Sequence, residues 1–245
     1  MRAVPQRRPA RAAAVAVPLL LIVLGIPLDV LGGVAGQLAV SAAVWAFTLG
    51  LIARADAPLR ARLVACLALA TAGELFLSLG WGLYDYRMGN VPPFVPPGHV
   101  LVMWVGLRLA ARPLPHGAAG ATLAAAAAWA AAAAWSGIAT IDLALAALLA
   151  ACLLLARSGD ERRLYVVVFW LALALELYGT ALGCWTWRPR EEWLGLTSAN
   201  PPLAAGAFYC VLDLLVLGGA RAVAAARRAL PIAPVQAAAT STRQS

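Results

Sequence analysis

From Ala12 to Ile52 the chain carries one ionisable residue, Asp29, and comparable apolar stretches recur almost to the C-terminus. Such a run fits a bilayer interior, whose hydrocarbon layer of about 30 Å takes roughly 20 helical residues. Apolar segments of this kind can be drawn at 13–31, 35–53, 63–83, 98–111, 118–136, 138–156, 164–184 and 202–220, the fourth unusually short. The chain is 63% hydrophobic and 12% charged, whereas soluble domains carry about a quarter charged residues. A water-soluble domain is excluded. The expected fold is all-α: a polytopic membrane helix bundle of about eight transmembrane helices. It forms one domain over 1–230, with the lipid bilayer as its surroundings.

All 19 basic residues are Arg, and the net charge is +8. Their positions argue against nucleic acid as a partner. Threading eight spans alternately leaves Arg87, Arg188 and Arg190 on one side and the other 16 Arg on the opposite side. The positive-inside rule then places both termini in the cytoplasm, N-in and C-in, in the cell membrane. A cleaved signal peptide at the start would put the N-terminus outside, which the cluster Arg54, Arg60 and Arg62 opposes. Residues 231–245 read as a disordered cytoplasmic tail. The alanine run over 124–134, broken by Trp129, reads as a thin helix that neighbours approach closely.

Two stretches of the chain resemble one another. Around Glu74 it reads AGELFLSLGWGLYDYR and then NVPPFVPPGH; around Glu176, ALELYGTALGCWTWR and then SANPPLAAG. Each copy has a glutamate within an apolar helix, a hydroxyl four residues on (Ser78, Thr180), an aromatic-x-aromatic-Arg unit and a Pro-rich loop. A separation of 102 residues corresponds to four helices. The expected halves are therefore parallel four-helix repeats, about 13–112 and 118–222, with both loops on the outer face.

A charged side chain at the bilayer centre costs roughly 2.5–3.5 kcal/mol even on the mildest scale, so intramembrane acids are candidate functional groups. Glu74, Glu176 and Asp213 fall near mid-depth, counted at about 1.5 Å per residue from Arg62, Arg163 and Pro202. Asp142 and Asp29 lie nearer the outer boundary. Arg108 and Asp213 occupy related positions in the two halves, so they could pair, unless Arg108 extends to the interface. Trp81, Tyr84, Tyr86, Trp185, Trp187 and Tyr209 cluster towards the outer ends. They suit either an interfacial belt or the wall of a substrate-binding cavity, where aromatic faces stabilise cations.

Other chemistries lack their residues. Two histidines, His99 and His116, cannot build a multi-histidine iron cage, and the four cysteines show no C-x-x-C spacing. No aspartate-rich diphosphate motif, Walker loop, H-E-x-x-H or G-x-S-x-G occurs. No metal and no cofactor is expected. What remains is chemistry available to a carboxylic acid in a dry site, since an apolar setting favours the protonated form. Such an acid can protonate an alkene or epoxide.

With Glu74, Trp185-Thr186-Trp187-Arg188-Pro189 and Asp213, the chain resembles the small integral-membrane terpene cyclases of meroterpenoid pathways. The two loop regions are also similar to those of integral-membrane carotenoid hydratases and heterodimer-type lycopene cyclases. Asn200-Pro201-Pro202 stands where the latter carry P-x-E-E. The resemblance implies a lipophilic isoprenoid substrate, acid-initiated cyclisation of a terpenoid or carotenoid precursor, and Glu74 with Asp213 as the catalytic pair. Glu176 would then support its own repeat through Thr180. The alternatives are hydration of a C=C bond and a non-enzymatic carrier or proton-coupled transporter, in which the same acids load protons.

Overall fold

Gly33 makes the first apolar stretch turn back on itself. Helix α1 runs from Arg8 to Arg54, but Gly33 has φ 56° and ψ −137°, a conformation favourable to glycine alone. A continuous helix would hold Gly25 and Val40 about 22 Å apart, yet a Cβ on Gly25 would lie 3.1 Å from Val40 Cγ1. The element is a hairpin of two antiparallel arms, and its arms coincide with the first two expected spans. Gly36 allows their close approach: a Cβ there would meet the Leu28 carbonyl oxygen at 2.2 Å.

In this computed structural model, which describes residues 8–229, the remaining helices are α2 (Ala57–Glu74), α3 (Val95–Ala110), α4 (Ala118–Trp135), α5 (Ile141–Leu155), α6 (Gly159–Ala181) and α7 (Gly206–Ala229). The tail at 231–245, together with Arg2 and Arg7, lies outside the described residues. Among the described residues five helices are long and apolar enough to cross a membrane, α1 counted as one. The expected short fourth span is α3, and α5 is also short. Many large apolar side chains face outward, among them Leu31, Leu38, Leu154 and Leu215, as lipid-facing surfaces require. This is the helical bundle of a membrane protein.

Local sequence sets the helix ends. Asp56 caps α2 by accepting from Leu59 N at 3.0 Å, and Ser158 caps α6 by accepting from Glu161 N at 3.2 Å. Pro96 and Pro97 sit in the first turn of α3, where no backbone N–H is needed. Helix α3 packs against α1, α2 and α6, and α7 against α2, α5 and α6. Glycines bring backbones together: a Cβ on Gly106 would strike Val168 at 2.5 Å, and one on Gly206 the Phe169 carbonyl at 2.3 Å. At one end of the bundle Arg163 donates to the Ala110 carbonyl at 3.1 Å, and Arg221 pairs with Glu161.

The structure departs from an exclusively helical fold at the two aromatic-x-aromatic units. Tyr84–Tyr86 (β1) and Trp185–Trp187 (β2) pair as a short antiparallel ribbon, with Tyr84 opposite Trp187, Asp85 opposite Thr186 and Tyr86 opposite Trp185. Alternation along each strand buries all four aromatic rings on one face and exposes Asp85 and Thr186 on the other.

Candidate functional site: an acid-bearing apolar cavity

Helix α2 runs directly into a wider π-helical turn, Leu75–Gly80, a local form often found at functional sites. Glu74 stands at this junction and Glu176 within the last two turns of α6. Both are buried. Neither carboxyl bonds to the hydroxyl four residues on: Ser78 Oγ donates to the Tyr84 carbonyl at 3.1 Å, and Thr180 Oγ1 to the Glu176 carbonyl at 2.7 Å. The ribbon binds them instead. Tyr84 and Tyr86 hydroxyls donate to Glu74 Oε2 at 3.0 and 2.7 Å. Trp185 and Trp187 Nε1 donate to Glu176 Oε2 at 2.8 and 3.0 Å. Each strand of the ribbon thus holds the acid of the helix that precedes it, with two donors on one carboxyl oxygen.

Ring contacts across the ribbon join the two acid-holding units. Tyr84 and Trp187 centroids are 5.0 Å apart and tilted, and Tyr86 meets Trp185 edge-on at 6.2 Å. Behind Trp185 lies Gly179, where a Cβ would come within 1.9 Å of the indole. On the exposed face Arg188 forms a two-pronged pair with Asp85 across the ribbon, both bonds 2.8 Å. This guanidinium holds the Asp85 carboxyl below the usual carboxylate range.

Glu74 and Glu176 open onto one cavity of about 450 Å³, walled by both arms of α1 and by α2, α3, α6 and α7. That size falls within the range of small-molecule sites. Its lining is chiefly aliphatic, from residues such as Ile26, Val44, Leu101 and Leu212. Of the candidate residues, Glu74, Glu176, Trp81, Tyr84, Tyr86, Trp185, Trp187 and Tyr209 all line it. Asp213 does not. It is buried, with Oδ2 lacking a hydrogen-bond partner among the described residues, so the structure brings Glu74 together with Glu176 rather than with Asp213. Nor does an ion pair join Asp213 to Arg108 among the described residues; the Arg108 guanidinium lies 4.0 Å over the Trp104 ring.

The structure adds His99, one turn into α3. Its Nε2 is 3.3 Å from Glu74 Oε1, and its ring stacks on Tyr209 at 4.8 Å with an 8° tilt. The sequence carries the signal, a single histidine in an apolar run, two residues after Pro97. Only proximity to Glu74 gives it meaning. Among the described residues no group of three His, Cys, Asp or Glu is arranged to hold a metal.

The outer-boundary acids have structural partners. Arg87 donates to the Asp29 carbonyl at 2.8 Å, with its guanidinium 3.5 Å from Asp29 Oδ2. Asp142 accepts from Ala204 N at 2.8 Å and Trp129 Nε1 at 3.0 Å. Above the cavity Glu191 organises the loop after β2, accepting from Trp193, Leu194 and Leu196 backbone N–H groups and from Trp81 Nε1. Burial alone would push its carboxyl up, but these four donors bring it down to about 2. Trp81 also stacks on Trp193 at 5.6 Å.

Comparison with protein-family models, with curated proteins and with solved structures finds no match.

Proposed function

We propose that the protein is a cofactor-independent enzyme that acts on a lipophilic isoprenoid by acid-initiated cyclisation, in the membrane of the cell. The observation that carries this reading is the convergence of Glu74 and Glu176 on one chiefly aliphatic cavity whose wall also presents tyrosine and tryptophan rings. An alkene or epoxide protonated there becomes a carbocation with no bulk water around it, and the tyrosine and tryptophan faces can stabilise it. Each glutamate already has two neutral donors on one oxygen, so the carboxylate left after proton transfer is hydrogen-bonded without rearrangement. The resemblance of the loop regions to membrane terpene cyclases and carotenoid hydratases supports the same substrate class. Glu74 is assigned as donor and Glu176 as the second acid facing the cation.

The arrangement of the acids also supports two repeated halves. Counting the arms of α1 separately gives eight crossings. The units Glu74 with β1 and Glu176 with β2 then occupy corresponding places, N-in and C-in by the arginine distribution.

Expression in a host that makes farnesyl- and carotenoid-type precursors, followed by extraction and product analysis, tests the reading. Wild type is expected to give a cyclised product absent from the empty host, and Glu74→Gln to reduce it by about 10²–10⁴-fold. A hydrated product would replace cyclisation by water capture of the same cation. Unaltered precursors with wild type folded in the membrane would refute the enzyme reading in favour of a carrier.

A further inference from the structure

We propose that His99 is a catalytic residue: Glu74 and His99 form a proton-sharing couple in which Glu74 gives the proton to the substrate and His99 receives the proton the cation later releases. The assignment rests on the acid-catalysis reading for its substrate, but its geometry stands separately.

His99 Nδ1 lies 3.0 Å from the Val95 carbonyl oxygen, one turn back on α3. A carbonyl can only accept, so Nδ1 carries the hydrogen, and in the neutral ring Nε2 presents its lone pair. Nε2 faces Glu74 Oε1 at 3.3 Å. The ring's orientation is held on its flat side by Tyr209 from α7. Glu74 Oε2 already accepts from Tyr84 and Tyr86, which leaves Oε1 facing His99 and makes it, in the proposed couple, the oxygen that carries the acid proton. Glu176 likewise has two donors on Oε2, the Trp185 and Trp187 indoles, yet among the described residues no imidazole stands beside it. The two acids are therefore chemically unequal, and the couple belongs to Glu74. Both Glu74 and His99 line the cavity.

The step balances within the couple. The Glu74 O–H bond breaks as the alkene π pair forms a C–H bond, leaving a carboxylate held by two phenol hydroxyls and a carbocation. After rearrangement, a C–H bond next to the cationic carbon breaks. Its electron pair becomes the new C=C, and the proton goes to Nε2. The proton then crosses from Nε2 to Oε1 and restores the starting acid and the neutral imidazole. Other ionisable groups around the couple are Tyr84 and Tyr86 from β1, Tyr209 from α7, and Glu176 from α6 across the cavity. The second arm of α1 contributes Val40 and Val44 to the lining.

The chain has two histidines, and His116 is exposed between α3 and α4. Nitrogen-15 histidine labelling of the full chain in lipid nanodiscs therefore gives two imidazole spin systems, assigned with His116→Gln. For His99 the expected result is a proton on Nδ1 and an Nε2 signal that shifts in Glu74→Gln but not in Glu176→Gln. A proton on Nε2 with Nδ1 bare, or an Nε2 signal indifferent to Glu74→Gln, overturns the couple whether or not a substrate is known. In the producing host, His99→Gln is expected to lower product by about 10²–10⁴-fold and to divert what remains towards water-captured alcohol, while His116→Gln matches wild type. Wild-type yield and product distribution from a stably folded His99→Gln protein also overturn it. Labelling that shows the Glu74–His99 pairing while no substrate is converted would refute the enzyme reading and with it the catalytic role of His99, leaving only the hydrogen-bonded pair.

Discussion

Substituting Gly179 by Ala tests whether the ribbon is held against α6 as described. A Cβ there would lie 1.9, 2.3 and 2.4 Å from Cη2, Cζ3 and Cζ2 of Trp185, where ordinary contacts begin at 3.4 Å. The indole must retreat by about 1.5 Å, the difference between 3.4 and 1.9 Å. A shift of that size breaks the 2.8 Å bond from Trp185 Nε1 to Glu176. Overpacking costs about 1–3 kcal/mol, and losing a buried hydrogen bond about 1 kcal/mol more. Alanine's better helix propensity returns up to about 1 kcal/mol. The expected net loss is about 1–3 kcal/mol, read as a lower midpoint in thermal or denaturant unfolding in detergent, with altered tryptophan fluorescence in the native state. Gly120→Ala on α4 is the control, because nothing lies within 4 Å of a Cβ there. Wild-type stability and fluorescence from Gly179→Ala would refute the packing of Trp185 on α6.

Gly33→Ala meets no atom within 4 Å, so its penalty of about 1–3 kcal/mol comes from backbone conformation alone; Gly32→Ala, with no such φ, should be milder in the same unfolding assay. For Glu191 the folded value of about 2 lies below the ordinary 4.5. Its contribution is therefore complete above about 4.5 and is lost as pH falls towards 2. Limited proteolysis by an acid protease should find the loop at 188–198 increasingly open over that window, and already open in Glu191→Gln. Asp213→Asn should retain product formation, because the carboxyl lies outside the cavity lining; a loss as deep as that of Glu74→Gln would place it back in the reaction.

The apolar runs made the helices legible, since hydropathy and length alone determine what can cross a bilayer. They also predicted both arms of α1, although the reversal depends on one residue, Gly33, that a hydropathy pattern treats as any other. The spacing of Tyr84 and Tyr86 and of Trp185 and Trp187 has period two, which is strand periodicity. Three residues beside an apolar helix read more readily as an aromatic belt, and their pairing joins segments about 100 residues apart. Depth counting brought Glu74, Glu176 and Asp213 to one level of the membrane. It carried no information on which way each side chain turns about its helix, so Asp213 was grouped with acids whose cavity it does not share. His99 was overlooked for the complementary reason: a single histidine excludes an iron cage, but its role depends on a carboxyl 25 residues away in sequence and 3.3 Å away in space.

The central claim is that a buried carboxylic acid at Glu74 delivers a proton to carbon. Its most direct test is turnover in deuterium oxide, using membranes that contain the protein and the isoprenoid precursor identified in the producing host, with mass spectrometry of the product. With the protein equilibrated in deuterium oxide beforehand, the expected result is a non-exchangeable deuterium on carbon in the wild-type product of the first turnover, and a loss of that labelled product by about 10²–10⁴-fold in Glu74→Gln. Labelled product at the wild-type rate from Glu74→Gln, or a wild-type first-turnover product with no deuterium on carbon, would contradict it.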